Sequence, residues 1–160
     1  MTDITDMYLY IIIGAAAILL IYGAYYGVSK YLEKQSLNIQ EIKSILETHG
    51  TLHEEGLYLS YDYQGLTYSV IMIKVQKYAK FQFNSRTIWE KKIGQKKFYT
   101  DQTIFSKMPN RKIVIIYPNE GPFTYHYDES DVRFTKPNER IWDMHVIPFN
   151  ELDTVLKEGL

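Results

Sequence analysis

Between Asp6 and Lys30 the chain carries no charged residue, and Met7 to Ser29 reads MYLYIIIGAAAILLIYGAYYGVS. As a helix these 23 residues extend roughly 34 Å at about 1.5 Å per residue, enough to cross a hydrocarbon core of about 30 Å. That run divides the chain. We expect a short tail over 1–6, a transmembrane helix over 7–29, a juxtamembrane helical segment over 30–55 and one soluble domain over 56–160.

Tyrosines belt both ends of the run: Tyr8 and Tyr10 at one, Tyr22, Tyr25, Tyr26 and Tyr31 at the other. Such rings favour the headgroup zone. No Lys or Arg precedes the run, whereas Lys30 and Lys34 follow it, which predicts a single-pass anchor with its N-terminus outside and the C-terminal domain in the cytoplasm. A cleaved signal peptide fits less well. The start lacks a basic segment, the apolar run is long, and Ala15 to Ala17 lie inside it. Gly23 and Gly27 form a GxxxG pair that lets two helix backbones approach, so a homo-oligomer or a membrane-protein partner is a candidate for this helix. The absence of cysteine removes any disulfide framework or thiolate zinc site.

After the anchor, Asn38 and Glu41 have the spacing of a capping box. Ile39, Ile42, Ile45 and Leu46 recur at helical spacing and Gly50 suits the position past a helix end, predicting a short amphipathic helix over 39–48. From Gly56 the period becomes that of strands. Leu57, Leu59, Tyr61 and Tyr63 alternate with polar neighbours, Gln64 and Gly65 mark a turn, and LTYSVIMIKV (66–75) is apolar on both faces, hence a central strand. Ala79, Phe81 and Phe83 predict a third strand. Residues 87–93 fit a strand or a helical turn and 100–108 a short helix; KIVIIY (112–117) reads as a buried strand, and 123–127, 131–134 and 143–147 as further strands. Asn150 is placed to cap a last helix over 151–157. The expected class is α+β: a single N-terminal transmembrane helix followed by a small, mostly antiparallel sheet domain with a few short helices.

The net charge of −1 conceals a segregation. Residues 1–73 sum to −5 and 113–160 to −5, whereas 74–112 carry eleven basic residues against Glu90 and Asp101, a balance of +9. Lys74, Lys77, Lys80, Arg86, Lys91, Lys92, Lys96 and Lys97 interleave there with Tyr78, Phe81, Phe83, Trp89, Phe98 and Tyr99. Such a block is suited to anionic lipid headgroups, with a nucleic-acid backbone ranking below them. If these lysines instead pair across strands with acidic residues of the flanking segments, no patch remains.

Catalytic patterns are sparse. Glu90 and Lys92 form an E-x-K triplet, with Asp62 at the end of an upstream strand. This D…ExK arrangement resembles the PD-(D/E)xK metal-dependent nucleases, and the resemblance implies two carboxylates holding Mg²⁺ and a lysine steadying the attacking water. It covers these three residues, and Met72 stands where a second carboxylate would be needed in the neighbouring IMIK strand. His49 and His53 are four apart but separated by Gly50, and His126 with Asp128 and His145 supplies no third ligand by spacing. The sequence has no glycine-rich phosphate loop, nucleophile elbow, HExxH helix or EF-hand loop. We therefore expect no cofactor or resident metal. The sequence reads as a non-enzymatic interaction or tethering module held at the lipid bilayer, with a membrane-tethered nuclease as the alternative.

Overall fold

A computed structural model describes residues 4–55, 58–128, 131–136 and 139–160. The first half of the tail (1–3) and Leu57 lie outside the described residues, as do the side chains of Tyr10, Tyr31 and Lys34. Two units are present, Met1–Asn38 and Ile39–Leu160. The first consists of helix α1, Ile4–His49, up to Asn38. Within it Ile11–Lys30 is long and apolar enough to cross a membrane, and none of that stretch is buried against protein. The helix runs through Asn38 without a break, so Asn38 does not cap a new helix as its spacing suggested. The reason is local: no glycine or proline stands between Val28 and His49 to stop propagation.

The second unit is α+β with two mixed sheets. Strands β1 (Thr51–Glu55), β2 (Tyr58–Tyr63), β3 (Leu66–Val75), β7 (Arg111–Pro118), β10 (Arg140–Ile141) and β11 (Met144–Pro148) form a six-stranded sheet in the order β1-β2-β3-β7-β11-β10. Strands β4 (Lys80–Phe83), β5 (Ile88–Ile93), β6 (Lys96–Asp101), β8 (Thr124–His126) and β9 (Val132–Phe134) form a five-stranded sheet in the order β6-β5-β4-β8-β9. A single mostly antiparallel sheet was expected. Most strand pairs are antiparallel as expected, but they fall into two sheets, and β3–β7, β7–β11 and β4–β8 pair in parallel. Parallel neighbours need long crossovers, and the one from β3 to β7 contains β4, β5, β6 and the one-turn helix α2 (Thr103–Ser106), so the excursion itself builds most of the second sheet.

Strand β3 is central, flanked by β2 and β7, and its two apolar faces serve two cores. Tyr68 and Val70 join Ile113, Ile115 and Ile147 beneath α1 and helix α3 (Leu152–Glu158), which contribute Ile42, Leu46, Leu152, Val155 and Leu156. On the opposite face Val75, Val114, Ile116, Met144 and Val146 pack against Phe81, Phe83, Trp89 and Phe123 of the second sheet. The result is three layers: helices, six strands, five strands.

The local signals act as follows. Gln64 (φ 49°) and Gly65 (φ 77°) both adopt left-handed backbone in the β2–β3 turn, the pairing that matches hairpin twist. Gly50 has another reason to be glycine: a Cβ there would lie 2.3 Å from the Asp62 carbonyl oxygen and 2.8 Å from the Tyr61 ring. Tyr63 Oη donates to the Leu156 carbonyl at 2.5 Å, tying β2 to α3. Helix α3 begins after a 3-10 turn at Phe149–Glu151 and has no side-chain cap, so Asn150 does not take the capping role assigned to it.

Candidate functional site

Register places the site on the outer face of the five-stranded sheet. Residues opposed across a strand pair point to the same side. Phe83 opposes Trp89 and turns inward, where Trp89 meets Phe83 and Phe105 at ring-centroid distances of 5.0 and 6.2 Å. The alternate positions therefore look outward. Lys80 opposes Lys92, which opposes Lys97, giving a row of three ammonium groups on adjacent strands. The next row runs Tyr99, Glu90, Gln82, Thr124 and Phe134 across all five strands.

This second row is hydrogen-bonded. Thr124 Oγ1 donates to Gln82 Oε1 (3.3 Å), Gln82 Nε2 donates to Asn84 Oδ1 (2.9 Å) and to His126 Nε2 (2.7 Å), and Asn84 Nδ2 donates to Glu90 (3.3 Å). Lys97 Nζ lies 3.4 Å from the Glu90 carboxylate. Glu90 is only 8 % exposed. Burial pushes its carboxyl up, but hydrogen bonds from Asn84, Tyr99 and Lys97 outweigh that and hold it below the ordinary carboxylate range. The same contacts favour the carboxylate form of Glu90.

A groove of about 560 Å³ opens on this face, lined by Lys77, Lys80, Lys92 and Lys97, with Glu90 the one carboxylate among its lining residues, a balance of +3. Tyr78 and Phe134 stand on its rim, 76 % and 65 % exposed. Lys77 pairs with Glu120 at 3.1 Å, both well exposed. Among the described residues Lys80 and Lys92 have no ion-pair partner.

The other members of the basic block are dispersed. Lys74 belongs to the six-stranded sheet, opposite Tyr117. Arg86 is ion-paired to Asp143 at 2.8 Å, and Lys91 lies on the inward side of its strand with Nζ 6.0 Å from the Phe98 ring centre. Lys96 opposes Ile93 near the β5–β6 turn. Pairing with flanking acidic residues therefore holds for Lys77, Arg86 and Lys112, while within the lysine row Lys97 alone has a carboxylate partner, Glu90.

Glu90 and Lys92 share one strand face, but Asp62 is not brought to them: it lies on β2 of the other sheet, accepting hydrogen bonds from Thr67 (2.6 Å) and His53 (3.2 Å). The Thr67 and His53 contacts hold its carboxyl below the usual range. Among the described residues no group of three His, Asp or Glu is arranged to hold a metal ion. His126 and His145 fall in different sheets, and His49 Nε2 instead meets Asp153 at 2.8 Å. Gly23 and Gly27 lie one turn apart on α1, with open space around both. Gln82, Asn84, Thr124 and Phe134 escaped sequence reasoning; the alternation of β4 could have flagged Gln82 as outward, but nothing local links it to Thr124. No protein-family model, curated protein or solved structure matches the chain.

Proposed function

We propose that this protein is a single-pass membrane protein whose α+β domain sits in the cytoplasm and serves as an anchored, non-enzymatic interaction module for anionic partners at the bilayer surface. The observation that carries the reading is the helical stretch Ile11–Lys30, uncharged up to its last residue and without burial against protein. Twenty such residues left in water would be strongly unfavourable, and a bilayer removes that cost. Lys30 and the basic groove favour the cytoplasmic side, where the leaflet is anionic. Anchoring confines the domain to a surface and raises its effective concentration for partners there.

The test is carbonate extraction of the full-length chain combined with a cysteine scan. The chain should stay in the pellet until detergent is added. A cysteine at Thr2 should react with an impermeant thiol reagent in intact cells, and one at Lys157 only after lysis. Recovery of the intact chain in the carbonate supernatant would remove the anchor, and the opposite labelling pattern would reverse the orientation.

A further inference from the structure

Resting on the reading of this face as an anion-binding surface, we infer that the groove of the five-stranded sheet is a site for a compact polyphosphate, a small molecule or headgroup carrying at least two clustered phosphates. The first ground is the lysine row. Lys80, Lys92 and Lys97 are directly opposed across neighbouring strands, about 5 Å apart in the pairing direction. Like charges so opposed repel each other, and only Lys97 is offset by a carboxylate within the groove. A multivalent anion laid along the row cancels that repulsion at three positions at once, and lysine is a common phosphate ligand acting as a point charge.

The second ground is shape. The four lysines converge on a groove of about 560 Å³, within the range of roughly 300–1,000 Å³ for small-ligand sites. The remaining basic residues of the block do not extend it: Lys74, Arg111 and Lys112 are in the other sheet, Arg86 is paired with Asp143, Lys91 and Lys96 lie on the opposite strand face, and Lys107 follows α2 away from the groove lining. A flat lipid surface would reward a broad patch; this charge is gathered into one concavity. Third, the hydrogen-bonded row of Thr124, Gln82, Asn84 and Glu90 fixes the floor, and the exposed rings of Tyr78 and Phe134 give the carbon part of the ligand an apolar wall.

The experiment measures binding of inorganic tripolyphosphate to the full chain in phosphatidylcholine nanodiscs at about 0.15 M salt, where diffuse surface attraction is largely screened. Saturable binding is expected, tighter than for orthophosphate. Lys80→Gln and Lys92→Gln should each weaken it by roughly tenfold, Lys92→Arg should restore it, and Lys96→Gln on the other face should leave it unchanged. Unaltered thermal melting keeps loss of binding distinct from loss of fold. Competition by nanodiscs bearing a bisphosphorylated inositol lipid identifies a headgroup as the source; competition by soluble inositol polyphosphate alone identifies a free ligand.

The site is overturned by no saturable tripolyphosphate binding, by equal losses in Lys92→Gln and Lys96→Gln, or by displacement of the probe by phosphatidylserine nanodiscs of matched charge. Tight binding of a thymidine oligonucleotide without tripolyphosphate binding would also overturn it, assigning the face to single-stranded nucleic acid. Failure here leaves carbonate extraction and thiol labelling untouched, so the anchored module stands or falls separately.

Discussion

Lys112 is 1 % exposed, and its ammonium donates to the Met108 carbonyl (3.0 Å), the Asn110 carbonyl (3.1 Å) and the Asp143 carboxylate. Asp143 also receives Arg86, so one carboxylate joins the β4–β5 loop of one sheet to β7 of the other. Removing one partner of a buried pair leaves an uncompensated charge. Asp143→Ala should therefore destabilise the protein by about 3–5 kcal/mol in urea unfolding of the full chain in detergent. Arg86→Ala, which removes a half-exposed partner, should cost under about 1 kcal/mol. The double variant Lys112→Met, Asp143→Leu should recover much of the loss, which separates the stranded charge from the packing around it. His145 poses the opposite case. It is 3 % exposed, and burial, then the charges of Arg140 and Arg111, push its imidazole down to about 4 from the usual 6.5. The folded protein keeps it neutral while the unfolded chain takes up a proton below pH 6.5. Stability from this group is complete above pH 6.5 and is lost as pH falls toward 4, by about 3 kcal/mol in all. His145→Gln should flatten the slope of unfolding free energy against pH across that window; an unchanged slope would reject the assignment.

At the scale of elements, the joint between α1 and the sheet depends on a missing side chain. Gly50→Ala drives a methyl into the Asp62 carbonyl and the Tyr61 ring, and should cost about 1–3 kcal/mol, whereas Gly65→Ala in its open turn should cost only about 1 kcal/mol for its left-handed backbone. Thermal melts of the two variants should rank in that order. The elements that could be read from the chain are those whose own residues decide them: β3 and β7 from β-branched runs buried on both faces, β4 from strict alternation, the β2–β3 turn from Gln64–Gly65. Strand β6, KKFYTD, gives no such signal because it is an edge strand exposed along its whole length and paired with β5 on one side. Its existence follows from the Gly94 turn (φ 59°), which reads along the sequence as an interruption and in the fold as a hairpin. The division into two sheets was equally hidden, since parallel pairing across a crossover depends on partners dozens of residues away.

For the molecule as a whole, the segregation of charge was visible in the sequence, but its meaning was not. Eleven basic residues in 74–112 suggested one patch; the fold distributes them over two sheets and both faces of a strand, and leaves four around a groove. That groove draws on segments around 77–82, 90–97, 119–124 and 134, so no window of the sequence contains it. Asp62 and Glu90 illustrate the same limit: two carboxylates 28 positions apart seemed close enough to share an ion, until the chain between them moved into another sheet.

Helix α1 also has a consequence for how the protein can be cut. Ile42 and Leu46, its last apolar turns, are fully buried in the core under the six-stranded sheet. A protease site engineered upstream of Ile39 should thus release a fragment that elutes as a monodisperse, cooperatively melting species. The same site moved between Ile42 and His49 would sever two aliphatic plugs from their sockets, and the liberated piece should aggregate. The last turns of this helix are, in effect, the first stones of the domain that follows.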